Sequence, residues 1–579
     1  MIQSMTALEN LRCEYMKNPL GIDILHPRLS WELVSPKRGT MQTAYQVIVS
    51  ENESGFEEKN IVWDTGKVDS GESICCEYRG KPLESRKRYY WQVRIWDESD
   101  QPSEFSNAAF FEMALLRKED WKAGWITLSD RKVMPENVHS ENAGSGSDLL
   151  NVSNEGIAPP EERLDPCRLA RCEFQVEKSV SRARIYATAH GVYSLELNGV
   201  KVGNEEFAPG FTAYQKYHLY QTYDVTGLLK NGSNALGAIV ADGWYTGRVG
   251  FMGDSCQYGD RNALLLQLEI QYSDGSSKII CSDESFRCAD GPYVYSDIFI
   301  GEKYDARLEK SGWNMPGYDE ADWEPACRAD FGYDHLFAQY GEPVCVVDEL
   351  IPQKILHTPK GETIIDLGQN IAGRLRMRVN GPAGTVVKME HCEVLDKQGN
   401  FINNIIGRNK DQTDFYILSG NGDEEYEPRF TFHGFRYVKI TGYPGEIKTE
   451  NFRGVVLSSN MEHTGTFECS DERLNRLVKN IFWSQRANMF SIPTDCPQRE
   501  RAGWTGDIQV FSPTAAFNMD VHSFLTRWLH SVWADQLPGG RSAHGGAVSE
   551  CLPRGSTGRR QRHFCRLGRR LRHCPLGYV

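Results

Sequence analysis

The 579 residues carry a formal net charge of −13 at pH 7, with 40% hydrophobic and 25% charged residues, a balance that suits a globular chain of three or four domains. No apolar run approaches the roughly 18 residues that cross a bilayer as a helix, which excludes a helical membrane protein. Sixteen cysteines are scattered without a framework spacing, Cys75 and Cys76 being adjacent. With no basic and apolar leader at the start of the chain, reduced thiols are expected.

The first 115 or so residues read as a β-sandwich. Tyr45-Gln46-Val47-Ile48-Val49 and Tyr90-Trp91-Gln92-Val93-Arg94-Ile95-Trp96 have the aromatic and β-branched content of strands, and Val62-Trp63-Asp64-Thr65-Gly66 supplies a strand end and a turn. Trp31, Trp63, Trp91 and Trp96 are read as core aromatics rather than a sugar-binding strip. From about 131 to 165 the chain turns polar, with Gly144-Ser145-Gly146-Ser147 and Pro159-Pro160, the composition of a linker or surface insertion.

A second all-β block runs from roughly 168 to 340. Ala183 to Ala189 begins it, and Tyr193 to Gly199 ends in a hairpin-type turn. Trp244 and Tyr245 could pack or stack on a sugar. A third β block spans about 345 to 455, where Phe430 to Val438 alternates like a strand. Asp366, Asn370, His391, Glu393 and His433 stand out in it as polar groups. No two have the tight spacing of a zinc site, so hydrogen bonding in turns is their expected role, with no metal and no cofactor.

Near 465 the period changes to helical. Ser470 reads as an N-cap ahead of Leu474, Leu477, Val478 and Ile481, and Ile508 to Leu529 reads as a second helix. Between them lies the most informative segment, Pro493 to Asp507, with the run DCPQRERAGWTGD. It places Asp495, Glu500 and Asp507, two arginines and Trp504 in fifteen residues. Pro493 and Pro497 oppose regular helix, so the segment is a loop that gathers carboxylates beside an indole. That is the equipment of glycoside hydrolysis: an acid for the leaving oxygen, carboxylates for hydroxyls, an aromatic face for the ring.

This run resembles the signature of the bacterial α-L-rhamnosidases, inverting glycosidases with an (α/α)6 barrel. The likeness extends over most of the chain up to about residue 540. It implies that Glu500 is the general acid, that Asp495 and Asp507 bind rhamnose hydroxyls, and that Arg499 and Trp504 line the same subsite. It also implies a multidomain fold of β domains leading into a barrel. Residues 1–117 are then a fibronectin III-like β-sandwich and 118–167 a linker or insertion. Residues 168–342 form a jelly-roll-like domain, 343–458 a β-sandwich adjoining the barrel, and 459–538 the first helices of the six-hairpin barrel. The expected partners are small rhamnosides, with neither membrane nor nucleic acid, in the bacterial cytoplasm. The alternatives are a non-catalytic carbohydrate-binding β protein and a six-hairpin glycosidase of other sugar specificity.

Residues 539–579 break the pattern. They hold nine arginines, one acid (Glu550) and no lysine, unlike a mixed basic nucleic-acid arm. Codons chosen for Arg566 to Val579 and moved one base read GWGDACVIVPWVM, similar to a later barrel segment of the family. The tail is therefore expected to be barrel sequence out of frame, from a shift near residue 539. On that reading the chain is truncated, its general base is absent from these residues and it is inactive. Its few barrel helices would then expose apolar faces and aggregate.

Overall fold

The computed structural model describes residues 7–53, 55–135, 158–250, 253–405, 411–537 and 541–542. Of the expected linker at 118–167, residues 136–157 lie outside these, whereas Trp125–Thr127 is a strand paired with Ala263–Tyr272; the basic tail lies outside them except for 541–542. The chain divides into two compact units. One comprises Met1–Lys122, Tyr220–Asp224 and Leu336–Gly341; the other holds Ala123–Leu219, Val225–His335 and the chain from Glu342 onward.

In the first unit, strand β1 (Ala7–Cys13) pairs with β2 (Arg28–Val34), which pairs in turn with Cys76–Glu77. A second sheet sets β3 (Ala44–Ser50) between Ile61–Asp64 and β4 (Arg88–Trp96), with Ala109–Glu112 beyond. Strand β4 shows how the sequence dictates this. Tyr89, Trp91, Val93 and Ile95 are buried, and the residues between them are half-exposed, the two-residue period of a strand with one face on a core. Trp31 and Trp91 are in that core, and Trp63 packs partly against it. Trp96 departs from the core reading. Five positions from Trp91, it falls on the opposite face, where Lys67 and Arg94 sit 5.0 Å from its ring centre.

The second unit contains two antiparallel sheets with long buried strands. In one, β5 (Arg168–Val176) pairs with Gly232–Ala241 and Arg287–Asp290; in the other, β6 (Val180–His190) pairs with Ala263–Tyr272 from end to end. A ten-stranded sheet follows, centred on β7 (Thr363–Asn380), which pairs with β8 (His433–Thr441) and Phe452–Ser459. Tyr293–Asp297 and Gly301–Asp305 join this sheet too, the latter parallel to Thr413–Ile417. The short connection between those two strands, Ile298 to Ile300, is buried, and it becomes a support of the candidate site.

Three helices close the described chain: α1 (Glu472–Asn488), α2 (Thr505–Asn518) and α3 (His522–Ala534). Two expectations change here. Asp471, not Ser470, caps α1, its carboxylate accepting from the backbone N–H of Arg473 at 2.9 Å. The stretch expected as one helix is two, because residues 518–520 bond to another segment instead. Asp520 N–H donates to the Glu462 carbonyl, Thr464 N–H donates to Asn518, and Met519 is extended. Among the described residues all thirteen cysteines are free thiols, and among them no helix is long and apolar enough to cross a membrane.

The helices leave large apolar side chains in solvent: Val510 is 78% exposed, Phe517 69% and Trp533 73%. Exposed apolar surface of this kind drives association. Sedimentation velocity of the purified chain is expected to show concentration-dependent self-association. Changing these three residues to glutamate should suppress it. A wild-type chain that stays monomeric at every concentration would contradict the expectation.

Candidate active site

The loop between α1 and α2 is built by local bonds and then fastened from a distance. Met489–Phe490 and Ile492–Pro493 form a tight hairpin around Ser491, which has a left-handed φ of 62°. The loop closes on itself where Asp495 N–H donates to the Ala502 carbonyl at 2.9 Å and Ala502 N–H returns to Asp495 Oδ1 at 3.1 Å. Residues 497–500 make the turn inside this closure, with Pro497 fixing φ where a turn begins.

Within the closed loop four of the five expected residues meet. The Trp504 indole Nε1 donates to Glu500 Oε2 at 2.8 Å, the four-residue separation being spanned by the turn into α2. Arg499 Nε lies 3.6 Å from Glu500 Oε1, with its side chain 45% exposed and that of Glu500 20% exposed. Burial, and then the charge of Glu500, push Asp495 up to about 6, so the two carboxylates feel each other. Asp507 stands apart. It is exposed in the first turn of α2, a position that favours negative charge, and among the described residues no hydrogen bond or ion pair joins it to the other four.

Asp495 offers a pH test. A carboxyl raised above its ordinary 3.8 costs stability as pH climbs from about 4 through 6. Asp495→Asn keeps the oxygen that accepts from Ala502. It is expected to be more stable than wild type by about 1–2 kcal/mol above pH 6, after allowance for solvent screening, and equal to it below pH 4. Denaturant titrations at pH 4 and 7.5 check this; an equal difference at both would reject the assigned burial cost.

The residue that fixes the loop in place is Arg501, which is wholly buried with a left-handed φ of 52°. Its guanidinium donates to the carbonyls of Phe432 (2.7 Å), Gln498 (3.2 Å) and Ile298, and lies 4.5 and 4.9 Å from the ring centres of Phe432 and Phe299. Burial lowers it to about 10, which leaves it charged at neutral pH. Gln412 Nε2 donates to the Gln498 carbonyl at 2.7 Å, and Gln498 Nε2 donates to Asn404 at 3.1 Å. Gly434 in β8 lies so close that a Cβ there would meet the carbonyl carbon of Pro497 at 2.8 Å. These supports come from segments remote in sequence, and no local spacing signals them.

Of the polar residues noted in the third β block, Asp366 accepts from Gly368 N–H at 2.7 Å in a turn-like contact and pairs with Arg436. Asn370 is exposed. Glu393 lies beside the loop, burial raising its carboxyl and the Arg499 charge opposing this. His391 and His433 are not turn residues. They sit in strands, rings stacked at 4.0 Å, with His433 Nε2 3.0 Å from Asp414. Trp244 and Tyr245 are buried and pack in the core of the second unit, which removes them as exposed sugar platforms.

Comparison with known proteins gives this arrangement its relatives. Four family models match in succession: a Rha78A-like N-terminal immunoglobulin domain over 8–117, an α-L-rhamnosidase N-terminal domain over 178–348, a bacterial α-L-rhamnosidase concanavalin-like domain over 356–458, and its six-hairpin glycosidase domain over 462–559. An α-L-rhamnosidase of Streptomyces avermitilis is 37% identical over 89% of this chain, and the match covers 64% of that protein. A crystal structure of the Streptomyces avermitilis enzyme complexed with L-rhamnose superposes with a TM-score of 0.86 at 34% identity, covering 95% of this chain and 67% of that one. An α-L-rhamnosidase from Dictyoglumus thermophilum gives 0.84 at 37% identity, covering 93% and 58%. The chain thus spans somewhat under two thirds of the length of the first curated relative. With the domain order, the loop and the relatives in agreement, the chain belongs to the bacterial α-L-rhamnosidases.

Proposed function

We propose that the site serves the inverting hydrolysis of terminal α-L-rhamnose from small glycosides, and that these 579 residues are an inactive truncated form carrying its acid half. Glu500 is the general acid; Asp495, Arg499, Trp504 and Asp507 hold the sugar. The observation that carries the reading is the Glu500 carboxyl, oriented by the Trp504 indole at 2.8 Å and set against the half-buried Asp495. A proton donor must be aimed at the glycosidic oxygen, and the indole fixes the direction in which this carboxyl points. Inversion further needs a second carboxylate about 6.5–9.5 Å from the acid to activate water, and that role is assigned to no residue of these 579. The free thiols suit a reducing compartment, in keeping with a cytoplasmic enzyme for imported rhamnosides.

Two measurements test this. Calorimetric titration with L-rhamnose is expected to show binding that D-glucose does not reproduce and that Trp504→Ala removes. An aryl α-L-rhamnoside is expected to bind these 579 residues without being hydrolysed. Absence of any rhamnose binding by the folded chain, or turnover of an alkyl rhamnoside that survives Glu500→Gln, overturns the assignment.

A further inference from the structure

Away from the loop, three histidines distant in sequence meet in the second unit. His190 ends β6, His218 opens the strand His218–Asp224, and His335 lies just ahead of Leu336–Ala338. The His218 backbone N–H donates to the His335 carbonyl at 2.8 Å, which fixes two of the three side by side. One potential ligand nitrogen from each residue lies within 4.8 Å of the other two. The ring centres of His190 and His218 are 5.2 Å apart, and those of His218 and His335 are 6.1 Å apart. Imidazoles sharing one ion at a metal–nitrogen distance of about 2.0–2.1 Å place their centres about 5–6 Å apart.

The hydrogen bonds around His218 settle where its proton is. Thr188 Oγ1 gives its own hydrogen to the Leu219 carbonyl at 2.7 Å, so at 3.0 Å it can only accept from His218 Nε2, which also points at the Ala189 carbonyl at 3.1 Å. Nε2 therefore carries the hydrogen and Nδ1 bears a lone pair. That Nδ1 is buried without a hydrogen-bond partner, and so is Nδ1 of His190. Two buried ring nitrogens without partners, one of them fixed as an acceptor, call for an explanation. A ligand imidazole anchored through its other nitrogen is how metal sites are commonly braced.

The surroundings favour neutral imidazole. Burial holds all three histidines below their ordinary range, and the neutral ring is the ligating form. Trp125, Phe331 and Tyr245 wall His190, with ring centres at 4.5, 4.4 and 4.1 Å. His335 is only half-buried and marks the open side. A second buried group with ligating atoms among the described residues, His391, Asp414 and His433, lies within reach of the Arg501 charge, which opposes a second cation there.

We propose that His190, His218 and His335 form a three-nitrogen site for a divalent first-row transition ion, with Zn2+ the expected occupant. An all-imidazole set suits Zn2+, Cu2+ or Ni2+ and discriminates against Ca2+ and Mg2+. Three protein ligands leave a coordination position for water or an exogenous donor.

The test uses the full chain without an affinity tag, stripped by chelator and titrated with Zn2+ and with Co2+. One ion per chain is expected, with a dissociation constant below about 1 µM, Co2+ ligand-field absorption, and a rise in Tm on adding Zn2+. Ca2+ should do neither. His335→Ala, at the half-buried edge, and His190→Phe, which keeps a ring among rings, should each weaken Zn2+ by about 100-fold or more while near-UV circular dichroism stays native. Failure of the wild-type chain to bind stoichiometrically would leave the three rings as aromatic core and overturn the proposal. So would Co2+ bands that persist unchanged in both folded variants.

Discussion

Arg501→Ala is expected to destabilise the second unit by about 3–5 kcal/mol and to abolish rhamnose binding, the largest effect of any single substitution in the signature loop. The magnitude follows from what the side chain does. It is fully buried and satisfies the carbonyls of Ile298, Phe432 and Gln498, three acceptors on three separate segments. Removing it takes a donor from each of those carbonyls, although Gln498 keeps Gln412 and Ile298 keeps the Thr431 hydroxyl, and leaves a cavity between Phe299 and Phe432, costs that add in the same direction. Arg501→Lys should recover only part of the loss, because a single ammonium cannot reproduce a planar fork reaching diverging carbonyls. Denaturant unfolding and L-rhamnose titration together decide the matter. An Arg501→Ala chain of wild-type stability would show that the three carbonyls are satisfied by other means.

The contrast between Arg501 and its neighbours shows where sequence reading succeeds. Asp495, Glu500 and Trp504 are close along the chain, and two prolines with a turn suffice to bring them together, so their meeting was legible from the run of residues itself. The β character of 44–50 and 88–96 was equally legible, since alternation is a local pattern. What binds the loop to the scaffold was not. Ile298, Gln412, Phe432 and Gly434 lie some 60 to 200 positions upstream, and nothing in their own surroundings announces a partner. The break between α2 and α3 escaped for the same reason. Residues 508–529 have helical composition throughout, and only bonding with residues 462 and 464 diverts the chain at 518–520. Trp96 was placed in the core by residue type, when its register beside Trp91 already put it on the other face.

Gly434→Ala is the sharpest test of that remote support, because it adds one carbon and removes nothing. The new Cβ would stand 2.8 Å from the Pro497 carbonyl carbon and 2.9 Å from Gln498 N and Pro497 Cγ, distances at which backbone must move. Strand β8 cannot retreat easily. Gly434 is paired with Ala372 in the sheet, and the adjoining His433 is held by Asp414. The loop is left to yield, and with it the Glu500–Trp504 pair carried on the same turn. Overpacking of this kind costs about 1–3 kcal/mol, less than the loss of Arg501, whereas displacing a sugar-holding group by about 1 Å can cost on the order of 100-fold in function. The expected phenotype is thus a folded chain whose rhamnose affinity falls at least tenfold and whose exposed Arg499 becomes a faster tryptic site. Gly227→Ala supplies the control, since a Cβ there meets nothing within 4 Å. If Gly434→Ala binds rhamnose and resists trypsin as wild type does, then the loop holds its shape without β8, and the support belongs to Arg501 and Gln412 alone.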